Sequence, residues 1–108
     1  MEININCDLG EKSKHHSNKH DPELLKIVNS ANVACGYHAG DDESMNQVVE
    51  ISKNNGVSIG AHPSFNDLKN FGRKRMNLSS RQIGILTIFS SLFSACINLR
   101  FFIFSFKS

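Results

Sequence analysis

The chain lacks an even set of cysteines, a leader-like pattern in its opening residues, a strong charge of either sign and the common phosphate-binding motifs. Its three cysteines, Cys7, Cys35 and Cys96, have no metal-ligand spacing and cannot build an even-numbered disulfide framework. The opening MEININCDLGE has neither the basic stretch nor the apolar core of a secretory leader. Both absences point to the cytoplasm, where thiols stay reduced. A formal net charge of +2 over 108 residues is too small to argue for nucleic acid. Neither G-x-x-x-x-G-K-[ST] nor G-x-G-x-x-G occurs, so no nucleotide signature is present. A serine-hydrolase elbow is not expected either. Acidic residues are missing from one whole region: all ten lie between Glu2 and Asp67.

What is present reads as an ordinary globular chain, 40% hydrophobic and 20% charged, of one domain or a piece of one. Residues Glu2 to Asp8 alternate, with Ile3 and Ile5 on one face and Asn4 and Asn6 on the other, which predicts a strand. The polar segment KSKHHSNKH (12–20) has no apolar period and reads as a loop. Asp21-Pro22-Glu23 predicts a helix start with Asp21 as N-cap, and Leu24, Leu25, Ile27 and Val28 as its buried face. A second strand is expected near Asn32 to Cys35. A second helix follows from Asp41-Asp42-Glu43, with Met45, Val48 and Val49 inward and Asn55-Gly56 as its stop. Val57, Ile59 and Ala61 predict a third strand, ended by His62-Pro63.

Strand, helix, strand, helix, strand implies a parallel α/β arrangement with right-handed crossovers. Sites in such sheets form at the carboxyl ends of the strands. Asp8, His38 and His62 each sit just past the end of a different strand, so three titratable groups should converge. One Asp and two His suit a divalent metal. They suit metal-free acid–base chemistry equally well. Plainer roles stand beside these. Asp8 can cap a turn, His38 can be a buried hydrogen-bonded histidine, and Asp41 or Asp42 should cap the second helix in any case. Pro63 holds His62 extended, which serves a ligand or a plain loop. His15, His16 and His20 lie in a Lys- and Ser-rich loop and read as solvated rather than metal-binding.

The strings NCDLGE (6–11), ELLKIVNSANVACGYHAGD (23–41), NNGVSIGAHPSFNDLKNFGR (54–73) and RMNLSS (75–80) resemble the LamB/YcsF family. The resemblance covers residues 1 to about 82, in order. It implies the N-terminal β-α-β-α-β portion of a TIM-like, deacetylase-type barrel, left incomplete. It also implies opening of the 5-oxoproline lactam ring to glutamate, with ATP as co-substrate and 5-oxoprolinase subunits B and C as partners. Asp8, Glu11, His38, Asp41, His62 and Asp67 fall on family motif positions and are the candidate catalytic residues. Any metal is expected on Asp8, His38 and His62. Lys12 and the histidine-rich stretch depart from the family pattern, and the family's later Lys-Pro-His-Gly type motif does not occur.

Residues 83–108 form an apolar tail that does not align by eye and holds six of the eight Phe. A reading-frame change or truncation is the expected origin, giving a chain that is poorly soluble and inactive alone. The 18 uncharged residues from Gln82 to Leu99 approach the ~20 of a membrane span. Ser and Thr line one side of that stretch, and Ile85, Ile88, Phe89, Leu92, Cys96 and Leu99 line the other. That one-sidedness predicts a helix docked on the sheet rather than in lipid, so no membrane is expected. Residues 101–106 then read as a strand or an aggregation-prone run.

Overall fold

A computed structural model describes residues 3–96, with the side chains of 89–96 excepted. Three parallel strands form one sheet in the order β1 (Asn6–Leu9), β2 (Ser30–Ala34), β3 (Ser58–His62). Each neighbouring pair is joined through a helical segment, α1 (Asp21–Leu24) and α2 (Asp42–Asn55). Asp8 pairs with Asn32 and Asn32 with Gly60, while Ala34 pairs with His62, so the carboxyl ends of all three strands share one edge. This is the parallel α/β layout expected from the element order.

Side chains alternate across a strand. On one face Leu9, Ala31, Val33 and Ile59 join Leu25, Val28, Val48, Val49 and Val57 in a buried apolar cluster, with Cys7, Met45 and Ile51 packed against it. Each fully buried Val or Leu contributes about 1.5–3 kcal/mol, so this cluster carries the fold. α2 supplies the cover. Asp41 caps it by accepting from the Ser44 N–H at 2.8 Å, and Gly56 ends it with its own N–H on the Lys53 carbonyl.

Three expectations are corrected. β1 begins at Asn6, and Ile3 and Ile5 stay exposed, because pairing with β2 starts only at Asn6 opposite Ser30. α1 is a single turn, its N-cap is His20 without a side-chain cap, and Asp21 instead turns its carboxylate back onto the Gly10 N–H at 2.7 Å. Of its expected apolar face, Leu25 and Val28 are buried while Leu24 and Ile27 are not. The third concerns α3 (Ser80–Cys96), which starts in a reciprocal cap. Ser79 Oγ accepts from the Gln82 N–H, and Gln82 Oε1 accepts from the Ser79 N–H. α3 does dock on the sheet, chiefly at β3, as expected, but Ile85 and Ile88 of its expected inward face remain exposed. Residues 97–108, including Leu99 and the stretch 101–106, lie outside the described residues, as do the side chains of Phe89, Leu92 and Cys96. Among the described residues no helix is long and apolar enough to cross a membrane.

Candidate active site

Opposite the apolar cluster, the other face of the sheet is polar. Asn32 Nδ2 donates to Asn6 Oδ1 at 3.2 Å and to Asp8 Oδ1 at 3.0 Å, so a buried amide on the central strand aims the Asp8 carboxylate. Two loops then cross at the carboxyl edge. Gly40, at φ +85°, donates its N–H to the Lys12 carbonyl at 2.8 Å, and a Cβ there would collide with the Gly10 carbonyl oxygen. That backbone approach, possible for glycine alone, brings Glu11 beside His38. Asp21 fixes the first loop from behind through its bond to Gly10.

The result is a buried cluster of one carboxylate and two imidazoles. Glu11 Oε1 lies 2.7 Å from His38 Nε2 and 3.3 Å from His62 Nε2. Asp8 Oδ2 stands 3.6 Å from the same His62 nitrogen. The two imidazole rings meet edge to face at 5.0 Å between centroids. His38 and His62 are sealed from solvent and the Glu11 side chain is 8% exposed, whereas that of Asp8 is 35% exposed. Asp8 is therefore the member of the group that opens to solvent. His38 Nδ1 is buried without a hydrogen-bond partner among the described residues. Nε2 rather than Nδ1 is therefore the ring nitrogen that bonds Glu11.

Phe71 closes the cluster from above. Its ring meets His38 edge to face at 5.2 Å, and its backbone takes φ +57°, a left-handed conformation uncommon for an aromatic residue. Sequence reasoning finds neither Phe71 nor the supporting role of Asp21. A Phe carries no chemical signal, with only the Gly72 turn hinting at a special backbone, and Asp21 reads as an N-cap instead.

The remaining candidates stand apart from the cluster. Asp41 is exposed at the N-cap of α2 and pairs with Lys12 Nζ at 3.3 Å. The Ser44 backbone and hydroxyl, with Lys12, hold its carboxyl down to about 2. Asp67 staples its own loop: it accepts from Asn70 Nδ2 at 2.8 Å and from the Lys74 N–H at 3.3 Å, while its N–H reaches the Tyr37 carbonyl. Burial pushes the Cys35 thiol up to about 11, which removes it as a nucleophile. The string GVSIG (56–60) does fit the G-x-S-x-G spacing, contrary to the expectation above. A nucleophile elbow needs a strand-to-helix turn, and Ser58 is instead the first residue of β3, paired with Ser30.

The sequence pattern of the LamB/YcsF family matches residues 3–90. This chain belongs to the LamB/YcsF family. Among curated proteins it is 47% identical over 89 residues to the A subunit of a 5-oxoprolinase from Staphylococcus epidermidis, covering 82% of this chain and 35% of that one. The A subunit of a 5-oxoprolinase from Staphylococcus carnosus is 41% identical over 106 residues, covering 91% and 42%. Among solved structures, a lactam utilization protein from Thermus thermophilus superposes with a TM-score of 0.78 at 36% identity, over 92% of this chain and 42% of that one. The LamB/YcsF chain therefore spans well under half the length of the relatives it matches. The family match ends at residue 90, inside α3.

Proposed function

We propose that this LamB/YcsF chain carries part of the hydrolytic centre of a 5-oxoprolinase, in the position of the enzyme's A subunit. The reaction is opening of the 5-oxoproline lactam to glutamate in the cytoplasm, with ATP as co-substrate and subunits B and C as partners. The three strands are then one arc of a TIM-like barrel, and the polar sheet face is its lumen. One observation supports this most: Asp8, open to solvent, backed by the buried Glu11–His38–His62 cluster at the carboxyl edge of a parallel sheet. The names of the relatives supply the substrate.

Lactam opening forms a bond from water oxygen to the carbonyl carbon, breaks the carbon–nitrogen bond, and leaves a proton on the departing nitrogen. Asp8 is the group placed to take the proton from water. Asp8 then returns that proton to the departing nitrogen, and His62, whose Nε2 lies 3.6 Å from Asp8 and 3.3 Å from Glu11, is a positioning residue behind it. His38, with no exposed surface, is a positioning residue that orients Glu11.

A second reading, metal-assisted hydrolysis, is favoured by the same cluster. One ligand atom each from Glu11, His38 and His62 lies within 4.8 Å of the others. Two imidazole nitrogens and a carboxylate suit zinc, iron or manganese, and Glu11 rather than Asp8 completes that set. Such an ion would polarise the lactam carbonyl.

The test is ring opening of 5-oxoproline with ATP and both partner subunits present. Asp8→Asn is expected to lower turnover by about 10²–10⁴-fold, the usual worth of a positioned base. Undiminished turnover of Asp8→Asn would overturn the assignment of Asp8. No turnover by the native chain would leave it as a non-catalytic, partner-binding piece. Metal content, compared between the native chain and His38→Ala, separates the two hydrolytic readings.

A further inference from the structure

The loop after β3 is tied down at both ends by one residue, Asp67. Its N–H donates to the carbonyl of Tyr37, the residue before His38, at 3.0 Å. Its own carbonyl accepts from the N–H of Gly72, the residue after Phe71, at 2.9 Å. Its carboxylate accepts from Asn70 Nδ2 at 2.8 Å and from the Lys74 N–H at 3.3 Å. Between these ties the backbone is left-handed twice in succession, at Phe71 (φ +57°) and Gly72 (φ +68°). A Cβ on Gly72 would run into Ser64 Oγ and lie 2.9 Å from His38 Cβ, so glycine lets the turn settle directly on the histidine. Phe71 has no such excuse. Left-handed backbone is unfavourable for residues other than Gly, Asn and Asp, so the bonds around Asp67 must hold it there. What the conformation achieves is the place of the ring. It meets His38 edge to face at 5.2 Å, with the Arg73 guanidinium 5.6 Å from its centroid.

We infer that Phe71, held in place by Asp67, is a positioning residue whose ring seals His38 from water and so fixes the Glu11 carboxylate. His38 is fully buried, and its Nε2 lies 2.7 Å from Glu11 Oε1. A hydrogen bond between imidazole and carboxylate is stronger where water is excluded. With the ring gone, water competes for both partners, and Glu11 is free to turn away from His62. Asp67 then acts through Phe71 and His38 rather than on the reacting atoms, although it falls on a family motif position. The inference rests on the lactam reading for its turnover measurement, and on the fold alone for its measurement of accessibility.

The first experiment is carbethoxylation of the 108-residue chain with diethyl pyrocarbonate, mapped to each histidine by peptide mass spectrometry. His15 and His20 are exposed and serve as internal standards. In the native chain His38 is expected to react far more slowly than either. Phe71→Asn removes the ring with a residue that tolerates left-handed backbone, and should bring the His38 rate up toward theirs. Phe71→Tyr keeps the ring and should leave His38 protected. Asp67→Ala keeps the ring but loosens its staple, and should expose His38 even if Phe71→Asn fails to fold. The second experiment is 5-oxoproline ring opening in the assembled enzyme. There Phe71→Asn should lower kcat by up to about 10²-fold, the scale of a misplaced reacting group, with KM nearly unchanged. Phe71→Tyr should restore kcat. Protection of His38 in both Phe71→Asn and Asp67→Ala would overturn the seal. An exposed His38 with undiminished kcat, or a raised KM at constant kcat, would overturn the positioning role. Absence of turnover in the native chain would count against the lactam reading alone, and carbethoxylation would still decide the seal.

Discussion

The two faces of the sheet obey opposite rules. One face buries Leu9, Ala31, Val33 and Ile59 under α2 and needs nothing but matching shapes. The other buries Ser30 and Asn32 at 3% and 4% exposure, and these are tolerated only because they bond to Asn4, Asn6 and Asp8. Adjacent residues of β2 thus serve different ends: Val33 holds the fold and Asn32 holds the chemistry.

Exchanging those characters breaks the comparison most directly. Val33→Asn loses the burial of a fully enclosed side chain and leaves a polar amide without partners, for about 3–5 kcal/mol of lost stability. Asn32→Val removes one donor from Asp8 and Asn6, two groups that water can still reach, and should cost only about 1 kcal/mol. It should nevertheless lower activity in the assembled enzyme, because Asp8 loses its orienting bond. Urea unfolding midpoints measure the first difference. If Val33→Asn proves as mild as Asn32→Val, the two faces are not distinct.

The apolar face is also the legible one. Period-two and helical apolar patterns fall on β2, α2 and β3 because burial there is what selects those residue types. Strand order alone places Asp8, His38 and His62 at one edge, since parallel crossovers leave no other arrangement. The Glu11–His38 contact is not legible, because it depends on the Gly10 carbonyl and Gly40 meeting across two loops. No local pattern encodes a distance between loops. Asp21 misleads for a related reason. A carboxylate before Pro and Glu looks like an N-cap, and only the fold reveals the competing Gly10 N–H 11 residues earlier.

Asp21, which fixes the loop carrying Glu11 through the Gly10 N–H, gives the next prediction. Asp21→Ala leaves the buried Gly10 N–H unpaired and should cost about 1–3 kcal/mol. Asp21→Asn keeps an acceptor for that N–H and drops the charge. Burial raises the Asp21 carboxyl above its ordinary 3.8, offset in part by Gly10. A raised carboxyl means that ionisation works against folding, so the group weakens stability as pH rises through the folded value. The Asn variant should therefore match or exceed the native chain near pH 7 and lose that advantage at more acidic pH. An Asn variant as unstable as the Ala variant at pH 7 would show that the charge, not the acceptor, holds the loop.

Asp41 tests the comparison at its rim and predicts the smallest effect, with the opposite sign. Its carboxyl is held down to about 2 by the Ser44 N–H and hydroxyl, with Lys12 adding less. A depressed carboxyl contributes stability that is fully present above the unfolded value of 3.8 and is lost as pH falls toward 2. Asn caps helices as well as Asp does, so Asp41→Asn keeps the bond to Ser44 while removing the titration. Between pH 4 and 2 the native chain should weaken slightly more than this variant, and above pH 5 the two should nearly coincide, since an exposed ion pair with Lys12 is worth little in salt. Asp41 also differs from Asp8 in what it touches. Turnover in the assembled enzyme should survive Asp41→Asn, and a fall comparable to that of Asp8→Asn would move Asp41 from the helix cap into the reacting centre.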